Sequence, residues 1–118
     1  MQFGQDFEKI FFRLSLEKVK YLQAIKSGFY TSEEIDALSF LANKFYTKFN
    51  ETPSKEQLEL LVKNHPKSKE RVSENILNII FEVDLNKYDE EWITSTAESW
   101  IKWRTFNTSF TDTIEFIK

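Results

Sequence analysis

The sequence predicts an all-α fold, and three observations carry that reading. Only two Gly and two Pro interrupt 118 residues, so few positions force a helix to stop. Apolar side chains return at intervals of three and four rather than two, the period of a helix face. Runs of β-branched residues are short, which disfavours strands. The expected architecture is a compact bundle of about five helices followed by one long C-terminal helix.

The first helix is expected from Met1 to Leu16. Phe7, Ile10, Phe11 and Leu14 share one face, and Asp6 supplies an early acid for the helix dipole. Val19, Leu22 and Ile25 mark a second, short helix, with Gly28 expected at its C′ position. The stretch Gly28 to Val62 organises the rest of the chain. Thr31 is the expected N-cap of a third helix, with Glu34 completing a capping box and Tyr30 and Ile35 forming a hydrophobic staple. Ile35, Leu38, Ala42, Phe45 and Phe49 then form its apolar stripe. Asn50-Glu51-Thr52-Pro53 breaks the pattern, because Pro53 disfavours helix at Thr52. Ser54 and Gln57 repeat the capping-box spacing, and Leu58, Leu61 and Val62 give the inner face of a fourth helix.

His65-Pro66 stops that helix, and the His65 ring is expected to support its last carbonyls. Ser68 is the expected cap of a fifth helix carrying Val72, Ile76, Ile79, Ile80 and Val83. Asp84 to Lys87 is polar and ends it. Asp89, Glu90 and Glu91 place acids at the start of the last helix, expected from Asp89 to Lys118. There Ile93, Trp100, Asn107 and Ile114 recur every seven residues, and Thr96, Trp103, Phe110 and Ile117 do the same three places later. This is an a/d heptad pattern, with Asn107 suited to fixing register. The division expected is a helical body, 1–88, and an arm, 89–118, within one domain. A rod of roughly 45 Å exceeds what a body this small covers. A protein interface is therefore expected on the arm at Trp100, Trp103, Asn107, Phe110, Ile114 and Ile117, with the domain's own core the competing place for Trp100, Trp103 and Phe110, and the favoured one for Ile93 and Trp100 nearest the body. The chain ends in mid-pattern on Ile117-Lys118, which reads as a piece of a longer protein.

Composition narrows the function. The net charge is −3, whereas proteins that hold nucleic acid over a large surface usually carry a basic excess. No direct nucleic-acid site is expected. There is no Cys, hence no disulfide framework or thiolate chemistry. No apolar run approaches the ~20 residues of a membrane span, and no signal peptide opens the chain. Twelve Phe, three Trp and four Tyr supply either a large aromatic core or a patch for a partner.

No catalytic, cofactor or metal residue is expected. The two glycines, Gly4 and Gly28, begin no GxxxxGK[ST] phosphate loop. One His and no Cys leave only carboxylates as metal ligands, and their spacing fits no loop site. Glu33/Glu34 and Glu90/Glu91 resemble acid–base pairs, but both lie in a first helical turn, where capping and dipole compensation account for them. Lys63, Lys67, Lys69 and Arg71 surround Pro66 and read as a solvated turn rather than a phosphate site.

The order of these features resembles a known family. An aromatic entry at Phe29-Tyr30 precedes a helix ending in Phe45-Tyr46…Phe49. Pro53-Ser54 then opens the next helix, and Asp89-Glu90-Glu91-Trp92-Ile93 opens a long last one. Together they resemble the N-terminal domain of DnaB-like hexameric replicative DNA helicases, especially the tailed-phage type. The resemblance covers nearly the whole chain. It implies an assembly or collar domain at the replication fork that mediates subunit association and docks primase or a helicase loader. It implies a cytoplasmic setting in a bacterium or a phage-infected bacterial host. The long last helix would be the first arm of the family's helical hairpin; the second arm is absent from this sequence. ATP and Mg²⁺ belong to the family's motor domain, also absent here, so this chain would not itself be an enzyme. Two other classes are weighed beside it. One is a stand-alone helical adaptor or loader-like phage replication accessory protein, distinguished by whether the reading frame continues into a phosphate-loop motor. The other is a small carboxylate enzyme, for which the sequence offers no positive signal.

Overall fold

The structure is a computed structural model in which residues 5–25 and 28–117 are described, the side chains of Gln5 and of residues 107–117 excepted. The fold is all-α. Among the described residues seven α-helices follow in order: α1 (Gln5–Glu17), α2 (Val19–Ala24), α3 (Glu33–Phe49), α4 (Lys55–Lys63), α5 (Pro66–Arg71), α6 (Ile76–Phe81) and α7 (Glu90–Ile117). A single 3₁₀ turn, Leu85–Lys87, precedes α7, and no strand occurs among the described residues. The chain divides into two units, Met1–Leu85 and Asn86–Lys118.

In the first unit α1 packs on α2, α3 and α6, while α3 packs on α4 and α5. Phe11, Phe12, Leu22, Ile35, Leu38, Leu58 and Ile80 are fully buried. Each such side chain contributes roughly 1.5–3 kcal/mol by leaving water. Aromatic edges organise the centre. The Phe11 ring meets Tyr21 at 5.6 Å and Tyr30 at 6.2 Å between centroids, and Phe12 meets Tyr30 at 6.4 Å.

A buried carboxylate lies beside these rings. Glu8 of α1 is 1% exposed. Its Oε2 accepts from the Thr31 backbone N–H at 3.0 Å and the Thr31 hydroxyl at 2.7 Å, and its Oε1 accepts from the Ser32 N–H at 3.0 Å. This contact corrects the expected start of α3. With the Thr31 hydroxyl donating to Glu8, Ser32 becomes the N-cap and its side chain accepts from the Ile35 N–H. The one-residue shift removes the expected staple, and Tyr30 joins the α1 aromatics instead. Glu34 does not return to the cap; it accepts from the Ser73 N–H at 2.7 Å.

Three further expectations are corrected. Gly28 is not the C′ residue of α2, whose C-cap is Ile25. It occupies a turn with φ +82° and donates its N–H to Asp36 Oδ1 at 2.8 Å. A Cβ there would meet nothing within 4 Å, so the dihedral alone favours glycine. His65 does not close α4; that end belongs to Asn64, and His65 caps the start of α5. The stripe from Val72 to Val83 is not one helix. Val72 is extended at φ −101°, ψ 119°, and the next N–H, that of Ser73, is held by Glu34, so α6 begins only at Ile76. The Ser54–Gln57 capping box forms as the spacing predicts, with both reciprocal hydrogen bonds present.

Candidate functional site

The second unit carries the residues that the sequence marks for an interface. Asp89 Oδ2 accepts from the Trp92 N–H at 3.0 Å, and Glu90 and Glu91 complement the first-turn dipole. From there α7 runs unbroken for 28 residues to Ile117, or ~42 Å at the standard rise. Ile93, Thr96, Ala97 and Trp100 are buried, a stripe at i, i+3, i+4 and i+7. Ala97 extends the a/d pattern to a neighbouring position. Trp103 and Arg104 are half-buried, the guanidinium 5.7 Å from the indole centroid. Phe106 is 68% exposed. Trp92 is 50% exposed and lies nearly parallel to Tyr88, 5.7 Å between centroids.

The structure therefore separates the expected interface residues. Trp100 is completely buried within the chain, and Trp103 partly so. Asn107, Phe110, Ile114 and Ile117 lie on the α7 backbone, with side chains outside the described residues.

The acids weighed for chemistry have structural partners or open surroundings. Glu33 is exposed, and Glu34 holds the backbone N–H of Ser73. Glu90 and Glu91 line a shallow, open surface with Asp89 and Glu98. Among the described residues no group of three or more His, Cys, Asp or Glu converges on a point. A serine–histidine pair does occur: Ser68 Oγ lies 3.0 Å from His65 Nδ1. The same nitrogen accepts the Ser68 N–H at 3.2 Å, and Ser68 is only 3% exposed. That is the geometry of a helix cap, with the ring lone pair turned onto the backbone. Lys63 and Lys69 border a concavity that also contains Glu59 and Glu74, so its charge is mixed.

Periodicity places the end of α3 at Phe49, where the structure has it, but overstates the burial there. Phe45 and Phe49 belong to its apolar stripe, yet Phe45 is only half-buried and Phe49 is 54% exposed; Phe40 is 46% exposed. Nine-residue α4 is too short to shelter all of seventeen-residue α3. The opened face forms a groove with the end of α4.

No family model, curated protein or solved structure matches this chain. Among the described residues, no helix is long and apolar enough to cross a membrane.

Proposed function

We propose that this chain is the N-terminal assembly domain of a DnaB-like replicative DNA helicase, working in the cytoplasm of a bacterium or phage-infected host. Its work is scaffolding. The last helix associates with other subunits, helping to hold a ring, while the helical body presents a face for primase or a loader. One observation carries this reading: α7 is a single 28-residue helix on which the sequence repeats apolar residues as far as Ile117. A narrow stripe on so long a rod gains stability when a neighbouring helix covers it. The exposed Phe106 lies in the same segment and supports the assignment. The helix order and the Phe29-Tyr30, Phe45-Tyr46 and Pro53-Ser54 pattern supply the link to replicative helicases.

Sedimentation at rising protein concentration tests the assembly role. Wild type should move from monomer to dimer or higher species, and Phe110→Asp or Ile114→Asp should hold it monomeric. A wild type that stays monomeric throughout counts against the role.

The second reading is a stand-alone helical adaptor. The groove on α3 and α4 favours it, because that face needs no ring to act. A phosphate-loop motor in the downstream reading frame supports the helicase, and a stop codon supports the adaptor.

A further inference from the structure

The groove lies on the first unit, between the C-terminal half of α3 and the end of α4. Leu41, Phe45, Phe49 and Leu61 give it an apolar lining. Lys44 and Lys48 line it from α3, both exposed, and Asn64 and His65 line it from the α4 end. The apolar surface continues past His65 to Phe40, whose ring lies 6.1 Å from the imidazole. Among the described residues no carboxylate lines the groove, although the chain as a whole is net acidic at −3. Among the described residues neither lysine forms an ion pair. Lys48 Nζ instead lies over the Phe49 ring, 5.4 Å from its centroid, which keeps the ammonium beside the apolar lining.

We propose that this groove docks an acidic amphipathic helix of a partner protein. The volume, about 240 Å³, lies below the roughly 300–1,000 Å³ of pockets that enclose drug-sized ligands. It suits the few apolar side chains that a helix presents per turn. No strand edge exists among the described residues to template an extended peptide, which leaves the helix-in-groove mode of recognition. Charge sets the sign of the partner. Two lysines, on one turn of α3 and without an acid in the groove, favour carboxylates flanking the inserted residues. The carbonyl end of α4 disfavours acid near Asn64, so the carboxylates should face α3. Apolar burial supplies most of the affinity, and the exposed charges supply preference. The inference specifies the docking half of the proposed function and rests on it to that extent.

The test titrates the whole chain, held dilute, against a fluorescent synthetic helix with leucines at i, i+3 and i+7 flanked by glutamates. A twin peptide carries lysines instead. The acidic peptide should bind better, and added salt should weaken it. Lys44→Glu/Lys48→Glu should cost roughly tenfold and favour the lysine peptide. Phe49→Ala should weaken both. Circular dichroism checks that the variants stay folded, as exposed substitutions should. Equal binding of the two peptides, no binding, or indifference to the lysine reversal overturns the proposal. So does acidic-peptide binding that ignores Phe49→Ala, since charge alone would then explain it. Competition by the chain itself at higher concentration would make a second copy the occupant and would also overturn it. Phe110→Asp should bind the acidic peptide like wild type. The groove and the last helix can therefore fail separately.

Discussion

At the scale of the residue, Glu8 is the feature on which the body turns. It fastens α1 to the start of α3 through three hydrogen bonds while buried. Glu8→Ala should destabilise the chain by about 1.5–3 kcal/mol, because three charge-assisted hydrogen bonds from the part-buried donors at Thr31 and Ser32 are lost. Glu8→Gln retains one acceptor oxygen and should cost less; urea unfolding followed by tryptophan fluorescence separates the two. Tyr30 beside it gives a pH signature. Burial pushes its phenol well above the ordinary value of 10.0, the Glu8 and Asp36 carboxylates add to the rise, and the Ser15 and Ser39 hydroxyls work the other way. The folded state therefore holds its proton more tightly than the unfolded chain. Its contribution is fully present below about pH 10 and declines as pH rises towards the folded value. Urea midpoints from neutral pH to about pH 11 should fall less steeply in Tyr30→Phe than in wild type. The position of Glu8 was half-legible. It precedes Phe11 and Phe12 by three and four residues, so helical geometry puts it on their face. Its partners, 23 and 24 residues away, leave no local trace.

At the scale of the element, reach along the chain decides what the sequence revealed. The Ser54–Gln57 box is complete within four residues, and its letters predicted it correctly. Ser54→Ala should cost about 1 kcal/mol, read as a lower thermal midpoint. The start of α3 carries equally good local letters at Thr31, but Glu8 takes the threonine hydroxyl and the cap moves to Ser32. His65 was noticed and assigned to the wrong helix, because imidazole is a rarer cap than Ser, Thr, Asp or Asn. Replacing it distinguishes the roles. His65→Ala should lose about 1 kcal/mol, whereas His65→Asn, which can accept from the Ser68 N–H, should retain most of that stability.

At the scale of the whole molecule, helical content was legible from scarce glycine and proline and from the three-and-four spacing. The groove was not. Spacing shows that Phe45 and Phe49 share a face with Ile35 and Leu38, but not where the covering helix runs out. Serine at Phe40 or Phe49 should therefore change unfolding free energy by less than about 1 kcal/mol, far below the 3–5 of a core phenylalanine. Chemical denaturation measures the difference, with Phe12→Ser as the buried control. The Glu8 clamp also bears on how the protein can be cut. The segment from Gly28 to Val62 carries complete helical start signals and looks excisable, yet its anchor lies outside it. In a nested set of amino-terminal deletions, recovery of folded product should drop abruptly once residue 8 is removed, rather than fade with each residue lost.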